Sequence, residues 1–212
     1  MTALALLSGG LDSTVAAALR QARDQDLAAA LFVDYGQRAL VPERRAARAV
    51  SAALGVPLHE LALPSEAFAG RGALLDASQD LPSPDLGREA QTRASAQAVW
   101  VPNRNGLMVN LAAALAEARG YGVVVVGFNA EEAATFPDNG VRFVSALNAC
   151  LALSTRDGVE VVAPCLELEK AELLAAGRAA GAPVDLSWSC YGPGPDACGR
   201  CESCLRRARA EG

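Results

Sequence analysis

Ser8-Gly9-Gly10-Leu11-Asp12-Ser13-Thr14 decides the fold. An apolar run, Ala3-Leu4-Ala5-Leu6-Leu7, precedes it and Val15-Ala16-Ala17-Ala18-Leu19-Arg20 follows, so the segment reads as strand, tight loop and helix. Paired glycines let backbone approach an anion, and the helix start offers unpaired N–H groups at the positive end of its dipole. Ser8, Ser13 and Thr14 add hydroxyl donors, so Leu7 to Thr14 are expected to hold the phosphates of a nucleotide. The Gly-Lys-Ser/Thr ending of the common nucleotide loop is missing, and no lysine stands nearby in the sequence. Asp12 would repel a bare phosphate, so it is expected to hold a magnesium ion that bridges phosphate oxygens. The plain alternative is a Gly-Ser turn with an Asp or Ser helix cap.

Working outward, strands and helices alternate. Strands are expected at 3–7, 28–33, 57–63, 123–126 and 159–164, and helices at 13–22, 42–54, 105–119, 141–153 and 169–180. Pro42 suits a first helical turn, Gly55 and Gly181 stop helices, and the unbroken Val123-Val124-Val125-Val126 belongs in a sheet buried on both faces. The fold class is therefore α/β, a Rossmann-like parallel sheet of about five strands with right-handed crossovers. From Pro64 to about Arg88 glycine, proline and aspartate dominate, which predicts a long irregular excursion. Ligands of such sheets sit beyond the carboxyl ends of the strands. The Ser8 loop, Asp34-Tyr35-Gly36-Gln37, the segment before Asn105, and 128–139 are expected to converge there.

Composition narrows the function. The chain of 212 residues is 51% hydrophobic, with a formal net charge of −5, which speaks against a broad face for tRNA or another polyanion and for a small-molecule substrate. No run approaches the length of a membrane span, and the first residues lack a basic, apolar secretory signal; the cytoplasm is the expected location, with no membrane partner. His59 is the only histidine and is read as structural, which leaves a serine hydrolase triad without its base.

Cys190, Cys198, Cys201 and Cys204 form the second decisive pattern. Two overlapping Cys-x2-Cys hooks and one further cysteine can close around a single tetrahedral zinc, and Gly192, Gly194 and Gly199 with Pro193 and Pro195 supply the tight turns. Four thiolates leave no open position, so the zinc is expected to be structural. A redox cysteine pair and an iron–sulfur cluster are the other chemistries open to this set. Residues 1–185 are thus expected to form the nucleotide-binding domain and 186–212 a zinc-binding segment packed on it. Cys150 and Cys165 are read as buried hydrophobes.

Three further groups are candidates. Arg104, in Val101-Pro102-Asn103-Arg104-Asn105, can clamp a phosphate or carboxylate through two parallel hydrogen bonds, or can be a surface arginine beside a helix cap. Asp34, Tyr35 and Gln37 stand where such sheets present groups to a nucleotide. Among Glu131, Glu132, Thr135, Pro137 and Asp138, one carboxylate is expected to hold metal or meet a base edge, and Asp138 is grouped with Asp12 and Arg104 as catalytic. Lys170 could reach phosphate, although a solvated surface lysine is the default.

The loop at 8–14 resembles the pyrophosphatase loop of enzymes that cleave ATP between its alpha and beta phosphates and adenylate a substrate. With Phe32-Val33-Asp34-Tyr35-Gly36-Gln37-Arg38, Val101 to Asn105 and the four cysteines, the chain resembles the 7-cyano-7-deazaguanine synthase family of queuosine biosynthesis over nearly its whole length. It departs from that pattern at Asn103, where members often carry glycine, and at Phe136-Pro137-Asp138-Asn139, where many carry Tyr-Pro-Asp-Cys. The resemblance implies an ATP-dependent ligase that turns 7-carboxy-7-deazaguanine and ammonia into the nitrile through adenylated intermediates. It further implies magnesium, one structural zinc and a homodimer. Another adenylating enzyme with the same loop, such as a tRNA-thiolating protein or a relative repurposed to a protein or a different deazapurine, and a nucleotide-binding module without turnover remain open.

Overall fold

The structure is a computed structural model, and it describes residues 1–68 and 70–212; residue 69, inside the expected excursion, lies outside the described residues. In chain order the elements are β1 (Ala3–Leu6), α1 (Leu11–Asp24), β2 (Leu27–Asp34), α2 (Leu40–Ala53) and β3 (Leu58–Ala62). There follow α3 (Glu89–Val99), α4 (Arg104–Arg119), β4 (Val123–Val125), α5 (Ala130–Ala133), α6 (Val141–Ser154), β5 (Glu160–Val162), α7 (Lys170–Ala179) and α8 (Glu202–Glu211). The five strands pair in parallel in the order β3-β2-β1-β4-β5. All five expected strands are present.

Successive strand residues point to opposite faces, and the core divides accordingly. Ala3, Ala5, Phe32, Val123 and Val125 meet α1, α2 and α7 through Val15, Ala16, Ala47, Val50, Leu173 and Leu174. Leu4, Leu31, Val33, Val124, Val126 and Val161 meet α4 and α6 through Val109, Ala113, Leu147 and Leu151. Helices therefore cover both faces, which is why the central strands β1, β2 and β4 are almost wholly apolar rather than alternating, while the edge strands β3 and β5 carry His59, Glu60 and Glu160.

Three helices appear where none was expected: α3, the single turn α5 and α8. α3 lies in the stretch before Asn105, and α8 starts just after Cys201 and carries Cys204 in its first turn; α3 buries only Ser95, Ala96 and Val99, too few apolar residues to register as a periodic stripe. Cys165 is fully buried as expected, but Cys150 is exposed on α6, which corrects its reading as a buried hydrophobe. Asn103 has φ +52, in the left-handed region that glycine and asparagine enter most readily.

Candidate active site

In the order 3-2-1-4-5 the connections leave β1 and β4 in opposite directions, and a crevice opens beyond their carboxyl ends. A cavity of about 230 Å³ lies there. Its walls include Leu7, Ser8, Gly10, Leu11, Asp12 and Ser13 of the first loop, Tyr35 and Gln37 after β2, Arg104 at the start of α4, and Asp138. Gly9, Thr14 and Asp34 do not line it. Thr14 is buried and donates its hydroxyl to the Gly10 carbonyl at 2.8 Å, while Asp34 pairs with Arg44 at 2.8 Å.

Two glycines shape the loop by close approach. Gly9, at φ +80, lies so close to α2 that a Cβ there would fall 2.5 Å from the Glu43 carbonyl oxygen. Gly127, following β4, lies under the first turn of α1, where a Cβ would fall 2.5 Å from the Ser13 nitrogen. α1 has no side-chain cap, because its N-cap is Gly10; the Gly10 carbonyl accepts the Thr14 N–H, and the first N–H groups of the helix have no partner within it. This end of the cavity suits an anion.

The sequence offers the loop no nearby lysine, but the fold supplies one. Lys170 is the only lysine in the chain, and far from being a solvated surface residue it is 8% exposed. It stands at the first position of α7, and its Nζ donates to both Asp12 oxygens at 2.6 and 2.8 Å and to Glu132 at 3.2 Å. Two carboxylates thus share one ammonium. Burial raises the Asp12 carboxyl to about 6 despite the lysine, whereas for Glu132 burial also acts upward most strongly, but the charge and hydrogen bond of Lys170 together with the charges of Arg206 and Arg104 hold the group below its ordinary value. An oxygen-lined pair short of one positive charge fits a hard divalent cation.

Arg104 closes the other side. Its Nη1 donates to the Tyr35 hydroxyl at 3.2 Å, and its guanidinium carbon lies 5.5 Å from the Tyr35 ring centroid. Its remaining contacts are long ones, 3.3 Å, to the Asn105 side chain, and no carboxylate within the described residues forms an ion pair with it. Burial raises the Asp138 carboxyl, and Arg104 acts in the opposite direction. A guanidinium held by a tyrosine, with no ion-pair partner, is available to an anionic ligand.

The apolar part of the cavity contains Trp100 and Phe136, stacked at 6.3 Å with an interplanar angle of 11°, together with Val99, Val101 and Met108. Trp188 and Ser189 reach it from the segment before the cysteines, and the Trp188 N–H donates to the Gly9 carbonyl at 2.8 Å. Trp188 was not among the expected site residues, Glu132 stood there only as one of several carboxylates, and Lys170 was read by default as a surface lysine. The signal for Lys170 was its place shortly after β5, beyond the carboxyl end of a parallel strand.

The four cysteines converge. Their sulfurs lie within 4.8 Å of one another, with Cys190, Cys201 and Cys204 buried and Cys198 exposed. Burial raises the Cys201 and Cys204 thiols, so holding them together as thiolates calls for a cation; this donor set suits a metal ion. No helix of the described residues is long and apolar enough to cross a membrane.

Comparison with known proteins gives a single answer. The family model for "Queuosine biosynthesis protein QueC" matches residues 2–211. The chain is 44% identical to the 7-cyano-7-deazaguanine synthase of Methanosarcina barkeri, with 99% of this chain and 93% of the relative aligned. It is 44% identical to the synthase of Carboxydothermus hydrogenoformans, over 99% and 98% of the two chains. For the Desulforudis audaxviator synthase the figures are 45%, 100% and 96%.

Proposed function

The chain belongs to the family of the queuosine biosynthesis protein QueC, and from that premise we propose that it makes 7-cyano-7-deazaguanine from 7-carboxy-7-deazaguanine, ammonia and ATP. The match over residues 2–211 carries the assignment, and a cavity with an anion-binding loop at one end and stacked aromatics at the other supports it.

The residues suit the chemistry. A carboxylate is a poor electrophile because its leaving group would be oxide; adenylation replaces that with AMP. The carboxylate oxygen attacks the α-phosphorus and pyrophosphate departs; ammonia then displaces AMP to give the amide. A second ATP adenylates the amide oxygen, and loss of AMP and a proton leaves the nitrile. Ser8, Gly10, Ser13 and the first N–H groups of α1 would hold the departing pyrophosphate, with Lys170 offsetting its charge. Asp12 and Glu132 would hold magnesium, which supplies charge neutralisation to the phosphates when bound. Arg104 would take a charged oxygen of phosphate or substrate, and Asp138 faces the same region.

We assign the cysteine cluster to one structural zinc that fastens the 186–212 segment onto the 1–185 domain. The synthase is taken to work in the cytoplasm, as a homodimer that uses free or delivered ammonia and binds no nucleic acid. Mass spectrometry of 7-carboxy-7-deazaguanine incubated with the protein, ATP, magnesium and ammonium tests the assignment. Nitrile together with AMP is expected; AMP without nitrile would move the acceptor elsewhere, and neither product would favour a binding module.

A further inference from the structure

Glu202 carries a carboxylate, stands between two cysteines of the cluster, and is 1% exposed. One of its oxygens accepts Nε and Nη2 of Arg206, one turn on along α8, at 3.0 and 2.8 Å; the other accepts the Ser95 hydroxyl of α3. Its backbone N–H donates to the Pro82 carbonyl at 3.1 Å. Arg206, 7% exposed, spends its remaining nitrogen on Glu131 of α5. The next residue along, Glu132, accepts Lys170, and Lys170 holds Asp12. Polar contacts from Glu202 through Arg206 to Glu131, and from Glu132 through Lys170 to Asp12, thus meet at two adjacent residues of α5 and join the cysteine segment to the loop end of the cavity.

α5 needs such an anchor. It has four residues, none of them buried, and a single helical turn does not repay its own nucleation. Its other fastenings are the Asn129 side chain on the Glu132 N–H at 3.0 Å and the Ala130 N–H on the Leu168 carbonyl at 3.1 Å. Both act on the backbone. Two side chains of the turn are held by the rest of the molecule, Glu132 by Lys170 and Glu131 by Arg206, and Glu131 is the one tied to the cysteine segment.

We propose that Arg206, oriented by Glu202, is a positioning residue: through Glu131 it fixes the turn that presents Glu132 to Lys170, and so sets the geometry in which Mg·ATP is bound. The proposal rests on the function assigned above and adds that the cysteine segment acts on the site as well as on stability.

Arg206→Ala would strand two carboxylates and endanger the fold, so the deciding variant is Glu131→Ala, which cuts the link to α5 but leaves the Arg206–Glu202 pair and the cysteines intact. Mg·ATP is titrated against the fluorescence of Trp100 and Trp188, the only tryptophans, both of which line the cavity; this readout needs no acceptor substrate. Glu131→Ala is expected to weaken Mg·ATP binding and lower kcat for AMP release by about tenfold with bound metal unchanged, and Glu131→Gln, which keeps an acceptor for Arg206, to stay within about twofold. In a Lys170→Ala background the same change should cost less than about twofold, because the link acts through that lysine. Wild-type binding and turnover in Glu131→Ala would overturn the proposal, and so would an equal loss in both backgrounds. If the wild type forms no AMP from 7-carboxy-7-deazaguanine, the assigned reaction fails instead, and the fluorescence titration still decides the link.

Discussion

The ammonium of Lys170 sits 2.6 and 2.8 Å from the two carboxylate oxygens of Asp12, although 158 positions separate the residues. The pairing places the chain's one lysine against the acid of the nucleotide loop. Lys170→Ala is expected to lower kcat for AMP release by about 10²–10³, the usual effect of removing one positioned charge from a transition state. Arginine should not restore it, since a forked guanidinium does not fit where a compact ammonium touches three carboxylate oxygens. Steady-state AMP release from the two variants is the measurement; retention of wild-type kcat by Lys170→Ala would remove the residue from the chemistry.

Asp12 should cost stability in order to function. Its carboxyl is raised from 3.8 to about 6, mainly by burial. An acid raised on folding stabilises the native state while protonated; that contribution is complete below about pH 4 and is lost as the pH rises through 6. Asp12→Asn is therefore expected to be inactive yet, without magnesium at pH 7.5, more stable than the wild type by about 1–3 kcal/mol, a few degrees in melting temperature. The gap should close near pH 4. Calorimetry at both pH values checks the sign, and a variant that melts lower at pH 7.5 would contradict it.

One zinc per chain is expected by elemental analysis. Cys201→Ser, at a fully buried ligand, should abolish it and lower the melting temperature by about 10 °C or more, whereas Cys150→Ser, on the exposed face of α6, should leave both unchanged. Two metals per chain, or full zinc in Cys201→Ser, would require another ligand set.

Arg104 and Tyr35 should separate by magnitude. Arg104→Ala removes a charge aimed at an anionic ligand and is expected to reduce kcat/KM by about 10²-fold or more. Tyr35→Phe keeps the ring beneath the guanidinium and loses a single 3.2 Å hydrogen bond, worth about 1 kcal/mol or roughly fivefold. Similar losses in both variants would mean that Arg104 acts only through the tyrosine.

The strands and the glycine turn between β1 and α1 were legible because local chemistry wrote them: a β-branched run, paired glycines, and an apolar period that fits the element. The cysteine cluster was legible from spacing alone. What escaped depends on distant partners. Lys170 looks like any solvated lysine until β5 and α7 bring it beneath α1, and Glu202 looks like a surface acid until Arg206, Ser95 and Pro82 close around it. α3 escaped for another reason, since a helix that buries little has no stripe to betray it. Asn103 takes a left-handed backbone at the entry to α4, which its neighbours in the sequence do not announce.

The placement of Lys170 also governs how the protein meets amine chemistry. Of 19 basic residues only this one bears an ε-amine, and it is withdrawn from solvent. Acylating reagents, amine cross-linkers and acetyl donors therefore find no lysine on the surface; beyond the backbone amine of Met1, their single target is the centre of the site. Covalent modification that adds one acyl group at Lys170 should extinguish activity, and bound nucleotide should shield it, so the fraction of this amine that survives counts occupied active sites directly.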